Sequence, residues 1–203
     1  MAEDELYIER LKEKLDTIED KELLSLVKRL ITERNRLQEI ANIDPLTGLN
    51  NRRMLSRIRE FSGIMMIDID DFKSINDTYG HDIGDYVIQQ IGRILKSSTR
   101  AQDQVCRLGG DEFLIVFVDC PEEVMAKRAE QIKFNINKYV IIPESNRTVT
   151  TSIGYSYNYT HANLAQVMKG ADVALYKSKT DGKNQINRFE QFLPTIDEGP
   201  KLI

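Results

Sequence analysis

The sequence predicts an α/β (α+β) sandwich in which one sheet of about five strands carries helices on its faces, preceded by a pair of helices. Three observations lead there. Short apolar runs bounded by Gly, Pro and Asp alternate with longer amphipathic stretches. The order along the chain reads strand, helices, hairpin, helix, strand, helix, strand, which gives one helix-covered sheet. The first 41 residues contain neither Gly nor Pro and are rich in Leu, Glu, Lys and Arg, so they read as wholly helical.

In that first stretch Ile8, Leu11, Leu15 and Ile18 recur at helical steps. Leu23, Val27, Leu30, Leu37 and Ala41 do the same, with Arg34 interrupting. The two stripes fall out of phase between Ile18 and Leu23, so two helices with a turn near Asp16 to Asp20 fit better than one. Asp16, Thr17 and Asp20 are candidate N-caps there. The seams suit a helix pair packing on its own domain or a dimerisation and regulatory segment over 1–41. Nothing else in the stretch buries them, which favours a homodimer through these helices.

Pro45 disfavours helical geometry at Asp44 and ends the second helix, so the main domain runs over 42–190. Helix resumes near Asn50 and passes through Met54, Leu55 and Ile58. Ile64 to Ile67 is an apolar run suited to a buried strand. A short helix covers Lys73 to Asp77. A longer one covers Ile83 to Lys96, with Val87, Ile88, Ile91 and Leu95 on one face. Val105 to Leu108 and Phe113 to Val118 form a hairpin with Gly109 and Gly110 at the bend. Pro121 to Tyr139 is helical, Thr148 to Tyr157 is strand, Leu164 to Lys179 is helical, and Gln185 to Phe189 closes as a short strand. Residues 191–203 read as a polar tail.

With 41% apolar and 30% charged residues the chain suits a soluble domain with a real core. A formal net charge of −4 gives no electrostatic support to general nucleic-acid binding. Cys106 and Cys120 lack metal-ligand spacing, and His81 and His161 form no ligand motif. No apolar run approaches the roughly 20 residues needed to span a bilayer, and the N-terminus lacks a signal core, so the expected location is cytoplasmic.

Two strand ends carry clustered carboxylates: Asp68, Asp70 and Asp71 after the first apolar run, and Asp111 and Glu112 in the hairpin bend. One acidic turn is usually a solvated surface. Two at neighbouring strand ends suit a hard divalent cation, since Mg²⁺ is held by one or two carboxylates together with phosphates. Paired cations of this kind serve phosphoryl chemistry.

The segment Arg107-Leu108-Gly109-Gly110-Asp111-Glu112-Phe113 carries the signature of the GGDEF family of diguanylate cyclases. Asp44 to Arg53 resembles that family's opening motif. Asp68 to Asp77 with Gly80 to Asp85 resembles its nucleotide-binding segment, and Ala171 to Lys179 with Gly182-Lys183-Asn184 its closing motif. The resemblance covers about Ile43 to Phe189 and leaves out the leading helices.

It implies a fold like the palm of class III nucleotide cyclases and the condensation of two GTP into c-di-GMP and pyrophosphate, with Mg²⁺ or Mn²⁺. Asp68 and Asp111 would bind metal, with the Ile69 carbonyl as a further ligand. Glu112 would complete the metal site or help deprotonate the ribose 3′-hydroxyl. Backbone amides around Asp71, Phe72 and Lys73 would hold phosphates, as a helix N-terminus can. Lys179 and Lys183 would neutralise the triphosphate; the family often has Arg at the latter position. Asn76 and Asp85 would read guanine. Each domain holds half a site, so two must face one another.

Arg100-Ala101-Gln102-Asp103 has the spacing that in the family marks a product-inhibitory site; its plain alternative is an exposed loop. Gln131 stands where a further arginine often assists, with Lys127 and Arg128 close by, so inhibition is weaker than usual or is completed by another subunit. Two other functions fit parts of the pattern: a c-di-GMP receptor without catalysis, and a scaffold that only dimerises. A regulatory protein partner for the leading helices is a further expectation.

Overall fold

A computed structural model describes residues 21–143, 145–158 and 162–190. The chain divides into a unit ending at Ile43 and one beginning at Asp44. The expected helix over Ile8 to Ile18, its turn and caps, His161, and the 191–203 tail lie outside the described residues.

In the first unit α1 spans Lys21–Ala41. Leu23, Leu30 and Leu37, each seven residues apart, are exposed, as are Leu26 and Ile40. The seam therefore includes Leu26 and Ile40 beside the expected Val27 and Ala41. Glu33 fills the slot between Leu26 and Ile40, and its carboxylate lies 3.9 Å from Arg36.

The second unit holds β1 (Asn50–Asn51), a 3₁₀ helix (Arg52–Arg57), β2 (Gly63–Ile69), α2 (Phe72–Tyr79) and α3 (His81–Ser97). Then come β3 (Gln104–Gly109), β4 (Glu112–Phe117), α4 (Glu122–Tyr139), β5 (Thr151–Tyr157), α5 (Leu164–Thr180) and β6 (Ile186–Arg188). The sheet order is β1-β3-β4-β2-β5-β6. The two edge strands pair parallel with their neighbours and the inner pairs are antiparallel.

β2 is buried along all seven residues. Successive side chains point to opposite faces, so the run Ile64 to Ile67 feeds two cores. Met65, Ile67 and Ile69 pack with Ile88, Ile91 and Leu95 of α3 and Met125, Ile132 and Ile136 of α4. Ile64 and Met66 pack with Val167, Ala171 and Leu175 of α5. Cys106 lies in the second cluster and Cys120 in the first. Burial pushes the Cys106 thiol up to about 12.

Two local expectations are corrected. The segment from Asn50 opens as a strand, not a helix: Asn50 and Asn51 pair with Cys106 and Arg107, and the Asn50 amide donates to Gln104 at 3.1 Å. The turn that follows is 3₁₀, started by the Asn51 side chain accepting from Arg53 N at 2.9 Å. Six residues that bury no side chain are too short to repay α-helix nucleation. β5 starts at Thr151 rather than Thr148, because the Thr150 carbonyl and hydroxyl both turn to Asp70, at 3.0 and 2.7 Å.

Candidate active site

The end of β2 and the start of β4 lie side by side. Asp68 is registered against Glu112, and Ile69 N donates to the Asp111 carbonyl at 3.4 Å. Gly109 and Gly110 shape the bend between β3 and β4 with φ of 149° and 51°, conformations that glycine adopts without a Cβ penalty. Arg107 clamps this bend. Its Nε and Nη2 donate to the Gly110 carbonyl at 3.0 and 2.8 Å, and its Nη1 reaches the Asp44 carboxylate at 3.2 Å. Asp44 also accepts from Thr47 N and Oγ1. Burial alone would push the Asp44 carboxyl up, but the hydrogen bonds from Thr47 and Arg107 outweigh it and hold the group below its usual range. The opening segment thus braces the signature turn. Sequence reasoning missed this pairing.

Asp68 is 6% exposed. Burial pushes its carboxyl up to about 6; Lys179 opposes the shift, and the charges of Asp111 and Glu112 add to it. Lys179 Nζ sits 2.8 Å from Asp68 Oδ2. A cation is therefore already drawn to this carboxylate. Among the described residues no three acidic, His or Cys side chains converge into a cage of their own. The donors, Asp68, Asp111, Glu112 and the Ile69 carbonyl, are hard oxygens, and they fit a magnesium-type ion that takes its remaining ligands from phosphates and water.

Asp71 is the N-cap of α2, left-handed at φ 56°, and its side chain makes no capping bond. It pairs instead with Lys183 Nζ at 2.6 Å. That pairing pushes the Lys183 ammonium up, through its hydrogen bond to Asp71 and the nearby acidic charges. The first amides of α2, which include those of Phe72 and Lys73, receive no acceptor from the capping side chain. Asp70, the middle carboxylate of the cluster, is buried and points elsewhere. It accepts from Thr150 Oγ1 (2.7 Å), Ser152 Oγ (2.6 Å) and Asn184 N (2.9 Å), a structural hub that the sequence did not reveal.

Asn76, on α2, holds its Oδ1 buried without a hydrogen-bond partner. It nests against Gly84 of α3: a Cβ there would collide with Asn76 Oδ1 and come within 3.2 Å of the Phe72 ring. Asn76 thus lies beside the helical turn that carries the exposed Asp85.

Arg100 is exposed and Asp103 is 7% exposed. Asp103 accepts from Arg100 N at 2.9 Å and from Val118 N at 3.3 Å, so it also closes its own turn. Burial pushes the Cys120 thiol up, Asp103 adds to this, and Arg100 and Arg128 pull it down. All three charges thus act on one thiol, which puts Arg128 within electrostatic reach of this turn; Gln131 is exposed further along α4.

Residues 41–185 match the family model described as diguanylate cyclase, GGDEF domain. The chain belongs to the GGDEF family. It is 38% identical over 138 residues to Diguanylate cyclase A of Treponema denticola, covering 67% of this chain and 37% of that protein. It is 36% identical over 182 residues to Diguanylate cyclase DgcM of Escherichia coli, covering 82% of this chain and 44% of that protein. The chain thus spans well under half the length of these two relatives. Among solved structures, the coiled coil and GGDEF domain of DgcB from Caulobacter crescentus in complex with c-di-GMP superposes with a TM-score of 0.71. There the identity is 27%, covering 82% of this chain and 95% of that one. The six-stranded sheet with its flanking helices is accordingly a GGDEF fold. No helix among the described residues is long and apolar enough to cross a membrane.

Proposed function

We propose that this GGDEF chain is a diguanylate cyclase, which joins two GTP into c-di-GMP and two pyrophosphates. The observation that carries the reading is the registered Asp68–Glu112 pair beside Asp111. Lys179 and Lys183 reach the same acidic rim at Asp68 and Asp71. Acidic donors for a divalent cation and two ammonium groups for a triphosphate then share one sheet end.

Asp68, Asp111, Glu112 and the Ile69 carbonyl would hold Mg²⁺ or Mn²⁺, which supplies charge neutralisation at the α-phosphate. The first amides of α2 receive phosphate oxygens where the helix dipole is positive. Lys179 and Lys183 exchange their carboxylate partners for phosphate oxygens. The 3′-hydroxyl oxygen of one GTP bonds to the α-phosphorus of the other as the bond to the β-phosphate oxygen breaks. Pyrophosphate leaves, and the hydroxyl proton passes to Glu112 or to water. Asp85 accepts from guanine N1–H and N2–H₂; adenine offers an acceptor at N1, so it leaves Asp85 unpaired at a cost of about 1–3 kcal/mol. Asn76 contributes its amide from the adjacent helix.

Each domain supplies one half-site, so activity needs two domains facing each other, brought together by α1. Arg100 and Asp103, with Arg128, form the product-feedback surface. The DgcB structure, a relative of this fold with c-di-GMP bound, supports a product site on the family's scaffold. A cytoplasmic location, where GTP is present, belongs to this reading.

Incubation with GTP and Mg²⁺, followed by chromatography of the products, tests it. Turnover to c-di-GMP is expected, with loss of at least about a hundredfold in Asp111→Ala, the scale of removing one charge-stabilising group from a site. Binding of c-di-GMP without turnover makes the chain a receptor instead. Neither leaves only a scaffold.

A further inference from the structure

Two consecutive non-glycine residues, Lys183 and Asn184, are left-handed, with φ of 62° and 48°. For lysine that conformation is unfavourable, and such residues persist only where the surroundings over-determine them. The surroundings do so at Asn184. Its N–H donates to Asp70 Oδ2 at 2.9 Å, its carbonyl accepts from Lys133 Nζ at 3.3 Å, and its side-chain oxygen accepts from Asn137 Nδ2 at 2.9 Å. Lys183 N is tied to the Ser178 carbonyl at 3.1 Å, and the Gln185 carbonyl to Ile153 N at 2.9 Å.

Lys133 and Asn137 are one helical turn apart on α4, an element that none of the four sequence motifs includes. Asn137 commits its amide to Asn184 while its own Oδ1 stays buried and unpartnered. A buried acceptor left unpaired costs about 1–3 kcal/mol, a cost that the amide's bond to Asn184 sets itself against. The strained pair it holds presents Lys183 to the acidic rim, where Nζ meets Asp71.

We infer that Asn137 is a positioning residue for the triphosphate: by fixing Asn184 it holds Lys183 in the left-handed conformation that aims its ammonium at the phosphate site. Lys133 assists from the preceding turn. The inference rests on the reading of Lys183 as a phosphate-binding cation.

The test is binding by the full chain, with Mg²⁺, of the non-reactive α,β-methylene analogue of GTP and of guanosine, which has no phosphates. Asn137→Ala should weaken the analogue about three- to tenfold, the scale of one hydrogen bond, and leave guanosine unchanged. Asn137→Ser keeps a donor and should recover part of the loss, which also guards against a variant that fails to fold. In a Lys183→Ala background Asn137→Ala should add nothing, because the group it positions is gone. An equal loss with and without Lys183, or equal weakening of guanosine and the analogue, overturns the inference. If Lys183→Ala alone leaves affinity for the analogue unchanged, the reading of Lys183 falls, and the tether falls with it by a separate route.

Discussion

Asp68 shows how one position sets the terms of the site. Its carboxyl sits near 6 in the folded chain against an ordinary 3.8. Between those values the folded chain holds the proton more tightly than the unfolded one. The contribution to stability is thus present at acid pH and lost as pH rises through about 6. At neutral pH the buried carboxylate is a strain that Lys179, at 2.8 Å, relieves. Asp68→Asn should therefore raise the unfolding temperature at pH 7.5 without divalent metal, by the equivalent of about 1–3 kcal/mol, and the gain should vanish by about pH 4. Calorimetry at the two pH values decides it; an equal gain at both would assign the effect to something other than charge. Asp85→Ser should lower the preference for GTP over ATP about tenfold, measured as competing product formation, and an unchanged ratio removes Asp85 from base choice. Asp68, Asp111, Asn76 and Asp85 stand inside recognisable motifs, so their candidacy was legible in the sequence. The partners that fix the site were not. Arg107 meets Asp44 across 63 residues and Asn184 meets Asp70 across 114, and no local pattern announces such pairs.

At the scale of elements, legibility followed periodicity. β2, α3, α4 and α5 are long, with apolar faces of clear period, and their placement was readable to within a few residues. β1 has two residues and no period at all; only its pairing with β3 makes it a strand. Closeness between elements is equally silent in the sequence. Gly154 of β5 faces α5 so tightly that a Cβ would run into Leu175 N and the Ala171 carbonyl, both backbone atoms that cannot rotate aside. Gly154→Ala should thus destabilise the domain by about 1–3 kcal/mol or more by forcing α5 off the sheet. Chemical denaturation measures this, and a loss below about 0.5 kcal/mol would show that the helix yields freely. Since α5 carries Lys179, the same variant should weaken nucleotide binding even where it remains folded.

For the whole molecule, α1 is the part that its own unit leaves unburied. At 1.5 Å per residue its 21 residues make about 32 Å of helix with Leu23, Leu26, Leu30, Leu37 and Ile40 exposed at heptad positions. An isolated helix of this length is marginal in water, and a second copy offers the matching seam. Leu30→Glu with Leu37→Glu should shift the chain to monomer and lower the rate at least about tenfold at nanomolar concentration, with recovery as concentration rises. Light scattering beside initial rates checks it; a monomer with full nanomolar activity ends this role for α1. The bond between Asp70 and Asn184 has a consequence for how the protein is made. The two residues are 114 positions apart, so at 5–20 residues per second a ribosome needs roughly 6 to 23 s to supply the second after the first. For nearly all of that interval the nascent chain carries the acidic strand end without Lys179, Lys183 or the loop that holds them. If these lysines hold the triphosphate as proposed, that grip is complete only once Asn184 has been made, so GTP should favour the nearly finished domain over shorter intermediates.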